Sequence, residues 1–429
     1  MRRLFSRTFV NAVGDNPWYL CVEVFWAAVY ASAQTFAGAY AIRLGATNSQ
    51  VSLLSSIPAL TAAIILLPAG HFLQHRERRK HWLLSSLLLA RAGTLLYVLL
   101  PWIHLDGLSH GALFVAFFAV VTLPTHFFNL GFIPFLAQAV PEPHRADTFS
   151  ARNILIGAML SLSNLLLGIW LARVAFPYNY QAMFLFAFAL SMISLYYLSK
   201  VHVSEAAPNT LTHEAARNWR SFTKQWLALF SAPWRVREFT QIVINTFLYG
   251  IGLWAATPLL LLYFVRTLGA SESWLGVLGS VGSLTTIFGY ILWRWTLTRW
   301  GETKILKWTI VAMGLYPLLA GLIPSLTAIL FAAGLNGVIA AGVTLTHFNT
   351  FLKVIPEGER HNYTALYLTL MNIGAFVCPL IGIVLAEQYG FAPVLIACGL
   401  LSIVGSTSFW IWPIGESRLP AAASMPEGG

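Results

Sequence analysis

The sequence predicts an all-α integral membrane protein, twelve transmembrane helices arranged as two pseudo-symmetric six-helix bundles. Three observations predict it. First, 57% of the 429 residues are hydrophobic and only 10% are charged, with a mean hydropathy of +0.69; a soluble chain carries about a quarter charged residues. Second, one long polar interval, 201–238, separates two stretches that are otherwise almost continuously apolar. Third, the two stretches share landmarks in the same order. Leu44-Gly45-Ala46-Thr47-Asn48-Ser49 recurs as Leu268-Gly269-Ala270-Ser271-Glu272-Ser273, and Val140-Pro141-Glu142-Pro143-His144-Arg145 recurs as Ile355-Pro356-Glu357-Gly358-Glu359-Arg360.

A helix needs about 20 mainly apolar residues to cross a bilayer. The first half meets that length at 18–42, 50–72, 82–102, 112–135, 152–174 and 180–198. The second half meets it at 241–264, 275–295, 305–323, 326–351, 363–386 and 392–412. The chain thus divides into an N-terminal bundle at 1–200, a linker at 201–238, a C-terminal bundle at 239–415 and a tail at 416–429. Arg2, Arg3 and Arg7 before an apolar run, with Ala31-Ser32-Ala33 inside it, imitate a secretory signal. The run continues to Ile42 and has a mate in the second half, so an uncleaved first helix is expected. Pro58, Pro124, Pro258 and Pro379 are expected to interrupt their crossings, and Gly-rich runs such as 276–282 to let helices pack closely. In the linker, Trp219, Phe222, Trp226, Leu229 and Phe230 recur at helical spacing with Arg217, Arg220 and Lys224 between them. That is the pattern of an amphipathic helix lying on an anionic leaflet.

An even number of crossings puts both termini on one side. Of the 26 Lys and Arg, Arg43, Arg173 and Arg266 fall on the opposite side and Arg91 within a crossing; the rest fall on the side of the termini. The positive-inside rule makes that side cytoplasmic, in a plasma or inner membrane. The net charge of +10 therefore reads as topology, and no nucleic-acid partner is expected. Cys21, Cys378 and Cys398 all lie inside apolar segments, against a disulfide framework or a zinc site. No nucleophile–base pair, metal cluster or Gly-x4-Gly-Lys-Ser/Thr loop is present, so neither an enzyme nor direct ATP drive is expected, and no cofactor.

Twelve helices as six plus six, with a basic linker, resemble the major facilitator superfamily over nearly the whole chain. The superfamily's signature loop after the second helix has a Gly, an acid four residues on, a base, a second Gly and two bases. Gly70, Gln74, His75, Glu77, Arg78 and Arg79 occupy those positions; the first Gly and the closing bases match, while the acid has become Gln74 and the second Gly has become Glu77. Gly289, Arg299, Gly301 and Lys304 form a looser echo in the second half. The resemblance implies a central cavity lined by the first, fourth, seventh and tenth helices.

Intramembrane ionisable residues are functional candidates because unpaired charge in hydrocarbon is costly. Glu23, Arg91, His126 and His347 stand out. Glu23, Tyr30 and Gln34 share one face of the first helix, and Thr122, His126 and Asn129 share one face of the fourth. Asn245 and Tyr249 do so on the seventh, and Asn336 and His347 on the tenth. These stripes either line a polar cavity or bond across helices as packing glue. Thr125-His126-Phe127 resembles Thr346-His347-Phe348, which suggests paired histidines, without the carboxylates or thiols that a metal site needs. Arg152 is expected to cap the cytoplasmic end of the fifth helix. Glu142, Arg145, Glu357 and Arg360, with Gly70, Arg78 and Arg79, read as gate-loop residues pairing weakly with nearby helix ends.

The reading is a secondary transporter of a small neutral or weakly charged organic solute, working as a monomer in the lipid bilayer by alternating access. Only Arg91 is expected to lie deep, which disfavours polyanions. A carboxyl in hydrocarbon can carry a proton, so Glu23 is the candidate for proton coupling; an Arg91 partner would make it half of a structural ion pair instead. Two alternatives stay open: a facilitative uniporter, and a non-transporting receptor or scaffold whose polar stripes are closed by interhelical bonds.

Overall fold

The computed structural model describes residues 15–74, 79–103, 106–203, 234, 236–355 and 360–414. Among the described residues there are twelve helices long and apolar enough to cross a membrane. The N-terminal bundle holds α1 (Asn16–Arg43), α2 (Asn48–Gln74), α3 (Arg79–Trp102), α4 (His110–Ala139), α5 (Glu142–Arg173) and α6 (Tyr178–Lys200). The C-terminal bundle holds α7 (Arg237–Thr267), α8 (Glu272–Trp300), α9 (Glu302–Leu322), α10 (Leu326–Val354), α11 (Arg360–Tyr389) and α12 (Phe391–Ile411). The amphipathic linker segment lies outside the described residues.

Helices run past the apolar spans at several ends. A hydropathy criterion finds the part that needs hydrocarbon, whereas a helix already nucleated propagates into the polar interface at little cost. The largest difference is α5, which begins at Glu142 instead of 152. Nor do the prolines interrupt: α4, α7 and α11 continue through Pro124, Pro258 and Pro379. A proline inside a membrane helix is tolerated where neighbouring groups satisfy the backbone that it frees. Hydroxyls also bond the prolines' own carbonyls: Thr61 Oγ1 donates to Pro58 O, and Ser52 Oγ, from the other bundle, to Pro379 O at 2.9 Å. The helical breaks fall at Phe36, Thr94, Gly314 and Thr407.

The two bundles repeat one packing scheme. In each, the first helix packs on the fifth and sixth, the second on the fourth, and the third on the fourth and sixth. The landmark turns match as well: Gly45 (φ 79°) follows α1 and Gly269 (φ 67°) follows α7, both in the left-handed region that favours glycine. Between bundles, α2 packs on α11 and α5 on α8.

Among the described residues, a hydrophobic core shared by both bundles forms on one side. A shared core of Tyr40, Phe114 and Tyr180 from one bundle with Leu259, Leu262 and Leu395 from the other seals the side away from the termini. Nearer the termini each bundle has its own core, around Leu83, Leu136 and Leu198 in the first and Ile310, Phe351 and Leu366 in the second. On the sealed side, α5 and α8 meet backbone to backbone. A Cβ on Gly276 would lie 2.5 Å from Asn164 O, and one on Gly168 would lie 2.8 Å from Gly276 Cα. Gly282, on the same helix, has nothing within 4 Å. Gly276→Ala is therefore expected to destabilise the protein by about 1–3 kcal/mol through overpacking. Gly282→Ala should be neutral or stabilising by up to about 1 kcal/mol. Thermal unfolding of the two purified variants checks the contrast, and equal melting temperatures would contradict it.

Candidate functional site

The deepest polar cluster is built by four helices of the N-terminal bundle. Glu23 on α1 is only 2% exposed. Ser194 on α6 donates to its Oε1 at 3.1 Å, and Arg152 on α5 donates from Nη2 to its Oε2 at 3.2 Å. Ser194 Oγ in turn accepts from Arg91 Nη2 of α3 at 2.9 Å, while Arg91 Nη1 donates to Ser191 O. The Arg91 guanidinium also lies 5.9 Å from the centroid of the Tyr30 ring. The order of donors is thus Arg91 to Ser194, Ser194 to Glu23, and Arg152 to Glu23. Glu23 reaches Arg91 only through Ser194.

Arg152 is the main correction to the sequence reading. It caps no helix end, because α5 starts at Glu142 and carries Arg152 about 15 Å inward at the helical rise. Its guanidinium covers the Phe132 ring at 4.9 Å, and its Nε has no partner among the described residues.

The other candidates separate into two groups. Some are spent on packing. Thr122 donates to Phe118 O of its own helix. Asn245 is fully buried and donates to Trp412 O at 3.1 Å, pinning α7 to the end of α12. The rest keep free capacity or partial exposure: Tyr30, Asn336 and Tyr249 are half-buried, and Asn129 is exposed on α4. Gln34 Nε2 and His126 Nε2 are buried without a partner among the described residues. The two histidines do not form a pair. His126 stays within the first bundle beside Pro58 of α2, and His347 Nε2 lies 2.8 Å from Thr246 Oγ1 on α7. Around His347 stand the rings of Tyr249, Tyr367 and Phe409, with centroids at 6.5, 6.2 and 6.5 Å.

Of the expected gate residues, Arg145 holds the end of α4, donating to Val140 O at 3.0 Å and Ala137 O at 2.7 Å, where helix carbonyls lack intrahelical partners. Glu142 is exposed in the first turn of α5, and Arg79 starts α3 half-buried. Gly70 falls within α2 and Arg360 opens α11; Arg78 and Glu357 lie outside the described residues.

Charged ties between the bundles lie elsewhere, at the matched landmark turns. Arg43 Nε donates to Glu272 Oε1 at 2.7 Å, and Tyr180 OH to the same oxygen at 3.4 Å. Reciprocally, Arg266 donates to Asn48 Oδ1 and Ala46 O. Asn48 and Glu272 hold the same place in the repeated hexapeptide, so each bundle offers an arginine to the other's turn. The repeat was visible in sequence; its use as a clasp was not, because only the folded halves bring the turns together.

A model of the Major Facilitator Superfamily matches residues 19–248 and again 242–427. The chain belongs to the major facilitator superfamily. Among curated superfamily relatives it is 24% identical to the ribitol transporter of Klebsiella pneumoniae over 437 residues, covering 96% of each chain. It is 30% identical to the D-arabinitol transporter of Klebsiella pneumoniae over 167 residues, 38% of each chain. Solved structures agree in fold at 14% identity. A POT family transporter in complex with 5-aminolevulinic acid has a TM-score of 0.70, covering 92% of this chain and 95% of its own. An inward-open xylose transporter XylE from E. coli has a TM-score of 0.64, covering 94% and 96%. As a superfamily member with such relatives, this is an integral membrane transporter and not an enzyme.

Removing Arg152 alone would leave Glu23 buried with its guanidinium partner gone. Arg152→Met is expected to cost about 3–5 kcal/mol, and adding Glu23→Met should restore most of it. Thermal melts of the single and double variants measure this; a double variant no more stable than the single would show that the pair is not coupled.

Proposed function

We propose that this superfamily member is a secondary transporter of a small polyhydroxylated solute, of about pentitol size, moved by alternating access. The observation that carries this reading is the buried Glu23–Arg152–Ser194 cluster, set in a pair of bundles that share a core on the side away from the termini. A hydroxyl both donates and accepts, so a polyol suits a site with a carboxylate acceptor and a guanidinium donor side by side. The rings around His347 offer apolar surface for the C–H face of such a solute. The curated relatives named for ribitol and D-arabinitol support the same class.

In this reading both termini are cytoplasmic and the membrane is the plasma or inner membrane, following the distribution of basic residues; the working unit is a monomer. The arginine clasp of Arg43–Glu272 and Arg266–Asn48 forms the gate on the far side and breaks when that side opens. Proton coupling would act through Glu23. Its two donors favour a second reading, a uniporter with a structural carboxylate, since a proton carrier must release Arg152 in every cycle.

Proteoliposomes separate these readings. The expected result is counterflow of labelled ribitol or D-arabinitol by the wild type. Glu23→Gln should abolish pH-driven accumulation while sparing counterflow if Glu23 carries the proton, and should reduce both together if its role is structural. A folded protein that moves neither pentitol would contradict the polyol assignment. The gate has its own test: Glu272→Gln should raise the modification rate of a cysteine placed at Ser52 by a reagent on the far side several-fold. An unchanged rate would place the gate elsewhere.

A further inference from the structure

We infer that the transported solute is a monoanion, a polyhydroxylated monocarboxylate whose carboxylate sits on Arg152. The inference rests on the transporter reading above and names the charge of its solute.

The cluster is unbalanced. Its helices contribute one carboxylate, Glu23, and two guanidinium groups, Arg91 and Arg152; their other close titratable neighbours, Cys21 and Tyr30, are neutral as thiol and phenol. A net positive charge within the span of a membrane is expensive unless something neutralises it. The salt bridge of Arg152 already uses the only acid described there.

The two arginines are not equivalent. Arg91 is 3% exposed, spends Nη1 and Nη2 on Ser191 and Ser194 and lies by the Tyr30 ring; its Nε, like that of Arg152, has no partner among the described residues, and its burial leaves it to order the cluster. The Arg152 side chain keeps 14% exposure, spends one donor on a 3.2 Å contact with Glu23, and leaves Nε without a partner among the described residues. Phe132 covers one face of its guanidinium, and the buried Nε keeps an unspent donor. A guanidinium edge is a planar fork of donors that matches a carboxylate in bidentate geometry. One partly exposed guanidinium with an unspent donor and one excess charge select a monoanion. A neutral pentitol would leave the excess charge in place, and a dianion would exceed it. The opposite bundle adds no fixed charge around His347, where Thr246, Tyr249, Tyr367 and Phe409 can hold only hydroxyls and C–H surface.

The test uses the full-length purified protein and three probes of one carbon skeleton: a pentitol, the corresponding pentonate and its neutral pentonamide. Competition against counterflow and ligand-induced thermal shifts give apparent affinities. The expected result is that the pentonate binds at least 10-fold more tightly than the pentitol, with the pentonamide resembling the pentitol. Arg152→Lys, which keeps the charge but not the fork, should bring the pentonate preference below about 3-fold. If that variant fails to fold, the wild-type comparison of pentonate with pentonamide decides alone. Equal affinity for all three, or preference for the pentitol, overturns the monoanion and leaves the polyol transporter standing. Binding of none of them overturns the polyol reading and the monoanion with it.

Discussion

The contact of α5 with α8 is the constraint on which the rest of the structure depends. Gly168 and Gly276 bring the two backbones together, and Ser280 of α8 donates to Ser161 O of α5 at 2.6 Å. Without a hydrophobic effect to drive helices together in lipid, association rests on close packing and interhelical hydrogen bonds, which small residues permit. That seam joins the bundles on the far side. Its continuation places α1 against α5, through Ser32 and Asn164, and so brings Glu23 and Arg152 of those helices into one cluster. A site that shares α5 with the bundle interface is well placed to sense how the bundles sit against each other.

The cluster itself is held by low dielectric. Each member is costly alone in the membrane, and each is tolerable because the next supplies a charge or a hydrogen bond. This makes the arrangement cooperative: Arg91 fixes Ser194, Ser194 and Arg152 fix Glu23, and Arg152 keeps one donor, Nε, unspent among the described residues. The C-terminal bundle answers with rings and one histidine–threonine contact in place of charge. The repeat therefore keeps the scaffold while its two copies carry different chemistry.

Much of the fold was legible in sequence because a bilayer leaves few choices: long apolar runs must be helices, and their number, repeat and basic loops follow directly. Glu23 and Arg91 were legible for the same reason, as charges inside apolar runs. Arg152 was not, since it stands at the edge of its apolar run and only the packing of α5 on α1 brings it to Glu23. Ser194 and Thr246 were hidden by being ordinary hydroxyls, which gain meaning only from the partners that folding brings. Thr122 and Asn245 show the converse: a polar residue at the right helical spacing can spend its donor on the scaffold, although Asn245 Oδ1 has no partner among the described residues. The far-side clasp joins residues more than two hundred positions apart, which no local pattern encodes.

The most direct test of the account is the distance between the bundles at their two ends, measured by pulsed electron spin resonance with and without solute. One label pair, at Thr47 and Ser271, reports on the far side; another, at Ala139 and Lys353, reports on the side of the termini. With Cys21, Cys378 and Cys398 replaced by serine, adding a saturating pentitol or pentonate should shorten the terminal-side distance and lengthen the far-side one. Distances that do not respond to either solute, or that change together in one direction, would contradict a site at Glu23 and Arg152 that is exposed to each side in turn.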